Sequence, residues 1–232
     1  MKKNVWKAWM VTGLLVTMSA VGGIMAYFTD KDEAVNKFVV GKVDIELEEP
    51  EWNKKPDLDK DGVPDEVEKI VPRQKITKDP FVKNTGKNDC YVFMTVEMPV
   101  KNIVTVDSKG MKKPIAMTEL YSYEKGQKWN YMGSSRVLDA KGQQTGVKRL
   151  YAYADAQGKC ARIKPQGSTE PLFRQVEFVN ALEGQGLEEG VFEIKIDSFG
   201  IQADNIADGS TDMNKIWSII TNQSDVKDRF VQ

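Results

Sequence analysis

Positions 57 to 68 read DLDKDGVPDEVE, in which D-x-D-x-D-G is followed by five residues and a glutamate. Calcium takes six to eight oxygens at about 2.3–2.6 Å, and this spacing delivers them from one short loop. Asp57, Asp59 and Asp61 offer three carboxylates, the Val63 carbonyl a fourth ligand, Asp65 a direct or water-mediated one, and Glu68 a bidentate carboxylate. Gly62 permits the sharp turn. Pro64 has no N–H where paired helix–loop–helix loops form a short β-bridge, so the pattern favours an isolated extracellular loop over a sensor pair. The competing reading is a solvated acidic linker. Calcium (Ca2+) would be structural here, stapling the connection between a strand ending near Glu48 and one beginning near Gln74.

Other chemistry is sparsely provided. The chain contains no histidine, which removes Ser-His-Asp and Cys-His arrangements and histidine-based zinc sites together. It has no GxSxG, no P-loop and no GxGxxG between a strand and a helix. No catalytic residues are assigned. Carboxylates are plentiful, but on alternating strands they read as a solvated face and not as a hydrolytic dyad. Trp129, Tyr131, Tyr151 and Tyr153 suit cross-strand packing better than a sugar-binding face. The two cysteines, Cys90 and Cys160, form a disulfide candidate, and two separate buried thiols are the alternative.

The elements that would position the loop follow an export signal. Lys2, Lys3 and Lys7 precede an uncharged apolar run of about 16 residues, short of the roughly 20 that span a bilayer, and Ile24-Met25-Ala26 closes it. Cleavage is expected between Ala26 and Tyr27, leaving 27–232 as a single secreted domain that meets the membrane only before cleavage. Loss of those three lysines from 33 basic residues leaves 30 against 34 acidic ones, which makes nucleic acid an unlikely partner.

The mature chain reads as strands. FVVGKVDIELEE from Phe38 alternates, with Val43, Ile45 and Leu47 on one face. The same period recurs in DCYVFMTVEM, VKRLYAYA, PLFRQVEFV and VFEIKIDSFGIQA, separated by turn-rich pieces such as VDSKGMKKP, DAKGQQTG and DAQGK. Six to nine strands without long helical patterns predict an all-β, antiparallel, jelly-roll-like sandwich, with residues 57–68 as an insertion. One short helix is expected over 210–221, capped by Ser210 or Thr211 and lying as a lid on one end of the sandwich.

Four pieces in order carry a resemblance: VGGIMAYFTDKDEAVNKFVVGKVDIEL, KITKDPFVKNTGKNDCYVFMTVEMP, STEPLFRQVEF, and FGIQADN before the tryptophan helix. Together they resemble the TasA/camelysin family of Gram-positive bacteria, whose signals are cut by a SipW-type signal peptidase. The resemblance implies a jelly-roll-like fold and a secreted surface or biofilm-matrix role. In some members it also implies fibres built by self-association, in which the freed N-terminal segment of one subunit completes the sheet of the next. Carried over, that segment would run from Tyr27 through Phe28 to Phe38. Camelysin's classification as a metallopeptidase makes that activity the alternative, and an extracellular carbohydrate- or host-surface-binding module is a third reading.

Overall fold

The computed structural model describes residues 43–60, 64–188, 190–224 and 230, all within one compact unit, Asn36–Gln232. The signal sequence, the Ala26–Tyr27 junction, the segment 27–38, Asp61 and Val63 lie outside the described residues. Among the described residues ten strands are formed: β1 Ile45–Glu48, β2 Lys75–Thr77, β3 Phe81–Asn84, β4 Cys90–Ile103, β5 Ala116–Glu119, β6 Tyr121–Ser122, β7 Trp129–Leu138, β8 Gln144–Tyr153, β9 Gln175–Phe178 and β10 Lys195–Gln202. Two α-helices accompany them among those residues, α1 Pro50–Asn53 and α2 Met213–Gln223.

Every pairing is antiparallel. The main sheet runs β10-β4-β8-β7, with β5 paired to the far end of β4; β2-β9-β6 and β1-β3 form two smaller sheets. The architecture is thus an all-β sandwich, as the alternating sequence predicts. β4 is its axis. Cys90, Val92, Met94, Val96 and Met98 face the inner core, where Ile76, Val82, Trp129, Tyr151, Phe173 and Val176 meet them. Tyr91 and Phe93, the intervening residues, belong to a second core on the opposite face.

That second core shows that α2 does not cap an end of the sandwich. It lies on the outer face of the main sheet, with Ile216 and Ile220 buried against Phe93, Leu150 and Ile201, at about 2 kcal/mol each. The Trp217 ring centroid lies 5.4 Å from that of Phe93, tilted, and 5.3 Å from that of Phe199, edge to face. The apolar spacing that makes the helix cannot say which surface receives it. The cap differs too: Asp212 Oδ1 accepts from Lys215 N at 2.9 Å, while Ser210 Oγ accepts only from Asp212 N. An aspartate directly before the first apolar residue is the better cap because its carboxylate reaches the exposed amides of the first turn.

Three connections share one turn. In Asp107-Ser-Lys-Gly110, Asp139-Ala-Lys-Gly142 and Asp155-Ala-Gln-Gly158, the aspartate Oδ1 accepts two backbone N–H bonds of 2.8–2.9 Å, and the glycine takes φ of +81°, +77° and +71°. The aspartate substitutes for a backbone turn, and the left-handed position requires glycine.

Candidate metal centre

The insertion between β1 and β2 is held to the sandwich at both ends. At its entry Lys78 Nζ donates to Glu49 Oε2 at 2.7 Å and sits 4.4 Å over the Trp52 ring, while Glu51 N donates to Asp79 Oδ1 at 3.0 Å. Lys78 and Asp79 are both buried, so these charged bonds are shielded from water and stronger than surface pairs. At its exit Arg73 N donates to the Phe178 carbonyl at 3.0 Å, and Gln74 accepts from Val71 N and donates to the Glu66 carbonyl.

Within this frame the loop folds on itself. Asp65 N donates to the Pro56 carbonyl, Leu58 N donates to Asp65 Oδ1, both at 3.0 Å, and Lys55 pairs with Glu66 at 2.6 Å. The consequence is convergence: Asp57, Asp59 and Asp65 bring one carboxylate oxygen each to within 4.8 Å of one another. Oxygens bound to one ion at calcium distances lie no more than about 5 Å apart, so the three fit a single cation. Three like charges at this range repel, and a cation reverses the sign of that interaction. Glu68 is exposed at the end of a 3-10 turn, Asp65–Val67, and stands outside this trio; Asp61 and Val63 are not described. Pro64 is buried and leads into that turn, and α1 spans four residues, so long helices do not flank the loop.

The disulfide candidate is not a disulfide. Cys90 and Cys160 are free and buried, Cys90 in the inner core and Cys160 in the outer one. The main sheet stands between those cores, a separation that the spacing of the two cysteines in sequence cannot reveal. Burial pushes both thiols up to about 12, so neither is a ready thiolate.

One polar constellation was not legible in the sequence. Arg149 of β8 makes two hydrogen bonds of 2.5–2.6 Å to Glu119 of β5. The pair lines a cavity of about 610 Å³ with Tyr121, Tyr123 and Tyr151. The Tyr123 and Tyr151 hydroxyls are 2.7 Å apart, and burial pushes both phenols above their ordinary range. These groups neutralise and satisfy one another. Only the fold brings residues 30 apart in sequence into this register.

A family model described as Camelysin metallo-endopeptidase matches residues 1–191. The chain belongs to that family. No curated protein and no solved structure gives a significant match. The camelysin match takes in the candidate metal loop and β1 to β9, while β10 and α2 lie beyond it. The family description implies a catalytic metal, and the donors here test that implication. A peptidase zinc takes three protein ligands, commonly imidazoles with a carboxylate, and leaves a position for water. This chain has no imidazole, and its two thiols belong to different cores. Among the described residues the side chains that gather are carboxylates, which suit a hard cation and do not fit a zinc peptidase centre.

Proposed function

We propose that this chain is an exported structural protein of the bacterial surface or biofilm matrix, that it self-associates after signal cleavage, and that Ca2+ in the 57–68 loop staples its fold. The observation that carries the reading is the donor set. The metal-type group among the described residues is an oxygen-only trio, Asp57, Asp59 and Asp65, on an insertion pinned to the β2–β3 connection and to β9. Such a site would stiffen a long connection.

Assembly draws its support from the edges. β10 and β7 end the main sheet, and no other described strand pairs with their outer sides. An unpaired edge accepts an added strand through main-chain hydrogen bonds. Residues 27–38 would serve as that strand once a SipW-type peptidase frees Tyr27. No helix among the described residues is long and apolar enough to cross a membrane. Electron microscopy of the processed protein, with calcium and with chelator, tests the proposal: ordered filaments support it, and a dispersed monomer at every concentration sinks it.

The family description favours a second reading, metallo-endopeptidase activity. A casein-degradation assay on the pure processed chain separates the two. Cleavage abolished by a chelator would establish the peptidase; a chelator that lowers thermal stability without any cleavage would leave the structural role.

A further inference from the structure

Two adjoining cavities of about 440 and 540 Å³ lie between the metal-loop insertion and the segment 182–194. They share Val67, Ile70, Tyr121, Gly190 and Phe192 together with Glu68 and Glu188, and so form one groove with apolar walls and two shared carboxylates. Its lips are unusually apolar for a surface: Val191 is 77 % and Val71 59 % exposed. Contiguous exposed apolar area of this kind marks a contact surface. The rim is acidic on balance. Glu68, Glu183, Glu188 and Glu193 line it against Lys69 and Lys78, the latter already paired with Glu49, and Lys101 Nζ lies 5.5 Å over the Phe192 ring; residues 181–194 contain no basic residue.

A turn of opposite charge with exposed apolar residues is present on the same chain. The turn after β4 presents Met111 at 66 % and Ile115 at 60 % exposure, flanked by the exposed Lys109, Lys112 and Lys113. Its one acid, Asp107, is consumed in accepting from Lys109 N and Met111 N. The Val106–Lys112 bridge and the 2.8 Å bond from Lys113 N to the Thr105 carbonyl hold the turn rigid, so little freedom is lost on binding. The result is a preorganised basic knob with an apolar tip.

We propose that the groove between the metal-loop insertion and residues 182–194 is the docking site for the 107–115 knob of a second copy of this chain. Apolar tip enters apolar groove, and Lys112 and Lys113 face Glu183 and Glu193. The contact is distinct from strand addition at the sheet edges, and it deepens the self-association proposed above, on which it rests. It also places the metal loop at the interface: Val67 and Ile70, which form one wall, follow directly on Asp65.

Charge exchange provides the test, using the exported, processed chain. Lys112→Glu/Lys113→Glu reverses the knob, and Glu183→Lys/Glu193→Lys reverses the rim. All four residues are exposed, and circular dichroism with thermal melting checks that each variant keeps its fold. Analytical ultracentrifugation should show each variant weakened about tenfold or more in self-association, and an equal mixture of the two restored, because each knob then meets an opposite rim. A knob-reversed chain that associates like the unaltered protein, or a mixture no tighter than its parts, overturns the docking proposal. Filaments that form unchanged from both variants would overturn it while leaving the matrix-protein reading intact; absence of association in the unaltered protein would end both.

Discussion

Gly200 shows how one side chain fixes the approach of β1 to the main sheet. A Cβ there would sit 2.9 Å from Ile45 Cγ2 and 3.1 Å from Val43 Cγ1, and both neighbours are buried. Gly200→Ala is expected to cost about 1–3 kcal/mol through overpacking, lowering Tm by about 2–4 °C per kcal/mol in a calorimetric scan. Ile45→Ala added to it should lower stability by less than the sum of the two single effects, since the clash and the lost side chain are coupled. The thiols make a second prediction at this scale. With both pushed up to about 12, Cys90 and Cys160 should resist a disulfide-exchange reagent at neutral pH and react only on denaturation. The linkage sign follows from the raised folded values. Between the unfolded value near 9 and about 12 the folded state holds more protons, so stability attributable to the thiols is complete below about 9 and falls as pH rises toward 12. Urea titrations across that range would check it, with Cys90→Ser/Cys160→Ser expected to flatten the slope.

At the scale of elements, the 57–68 loop and α2 each hold carboxylates placed by short-range geometry. Millimolar calcium should raise Tm, since a ligand that binds only the folded state stabilises by mass action. Asp57→Asn and Asp59→Asn should each abolish most of that rise. Limited proteolysis should show the insertion protected by calcium in the unaltered chain and cut within it in the variants. Asp212→Ala removes the α2 cap and should cost about 1 kcal/mol, read by the same thermal scans. A cost near zero would mean that Ser210 or Thr211 takes over, as the bare sequence suggests.

For the molecule as a whole, the prediction concerns assembly. Processed chain starting at Val35 or later should fail to build filaments by strand addition, with sedimentation and electron microscopy as readouts; assembly equal to that of the full processed form would refute donation by residues 27–38. Both routes to association begin from geometry that local pattern supplies and long-range packing completes. The period of two in DCYVFMTVEM announces a strand, and its position as the central strand follows only once β8 and β10 flank it. The seven-residue spread of Met213, Ile216, Trp217 and Ile220 announces an amphipathic helix.

By itself the sequence determined what depends on neighbours in the chain. It set the strand periods, the aspartate–glycine turns, the D-x-D-x-D-G loop, the lack of imidazole and the family resemblance, because each is a property of residue types at fixed short spacing. Tertiary structure decided the rest: that Cys90 and Cys160 face different cores, that α2 covers the outer face of the main sheet, and that Arg149 meets Glu119. It also left β7 and β10 with unpaired outer sides among the described strands. The physical reason is common to all of these. Which face of a strand is covered, and by what, depends on pairings between residues far apart in sequence, and a periodic pattern carries no information about its partner.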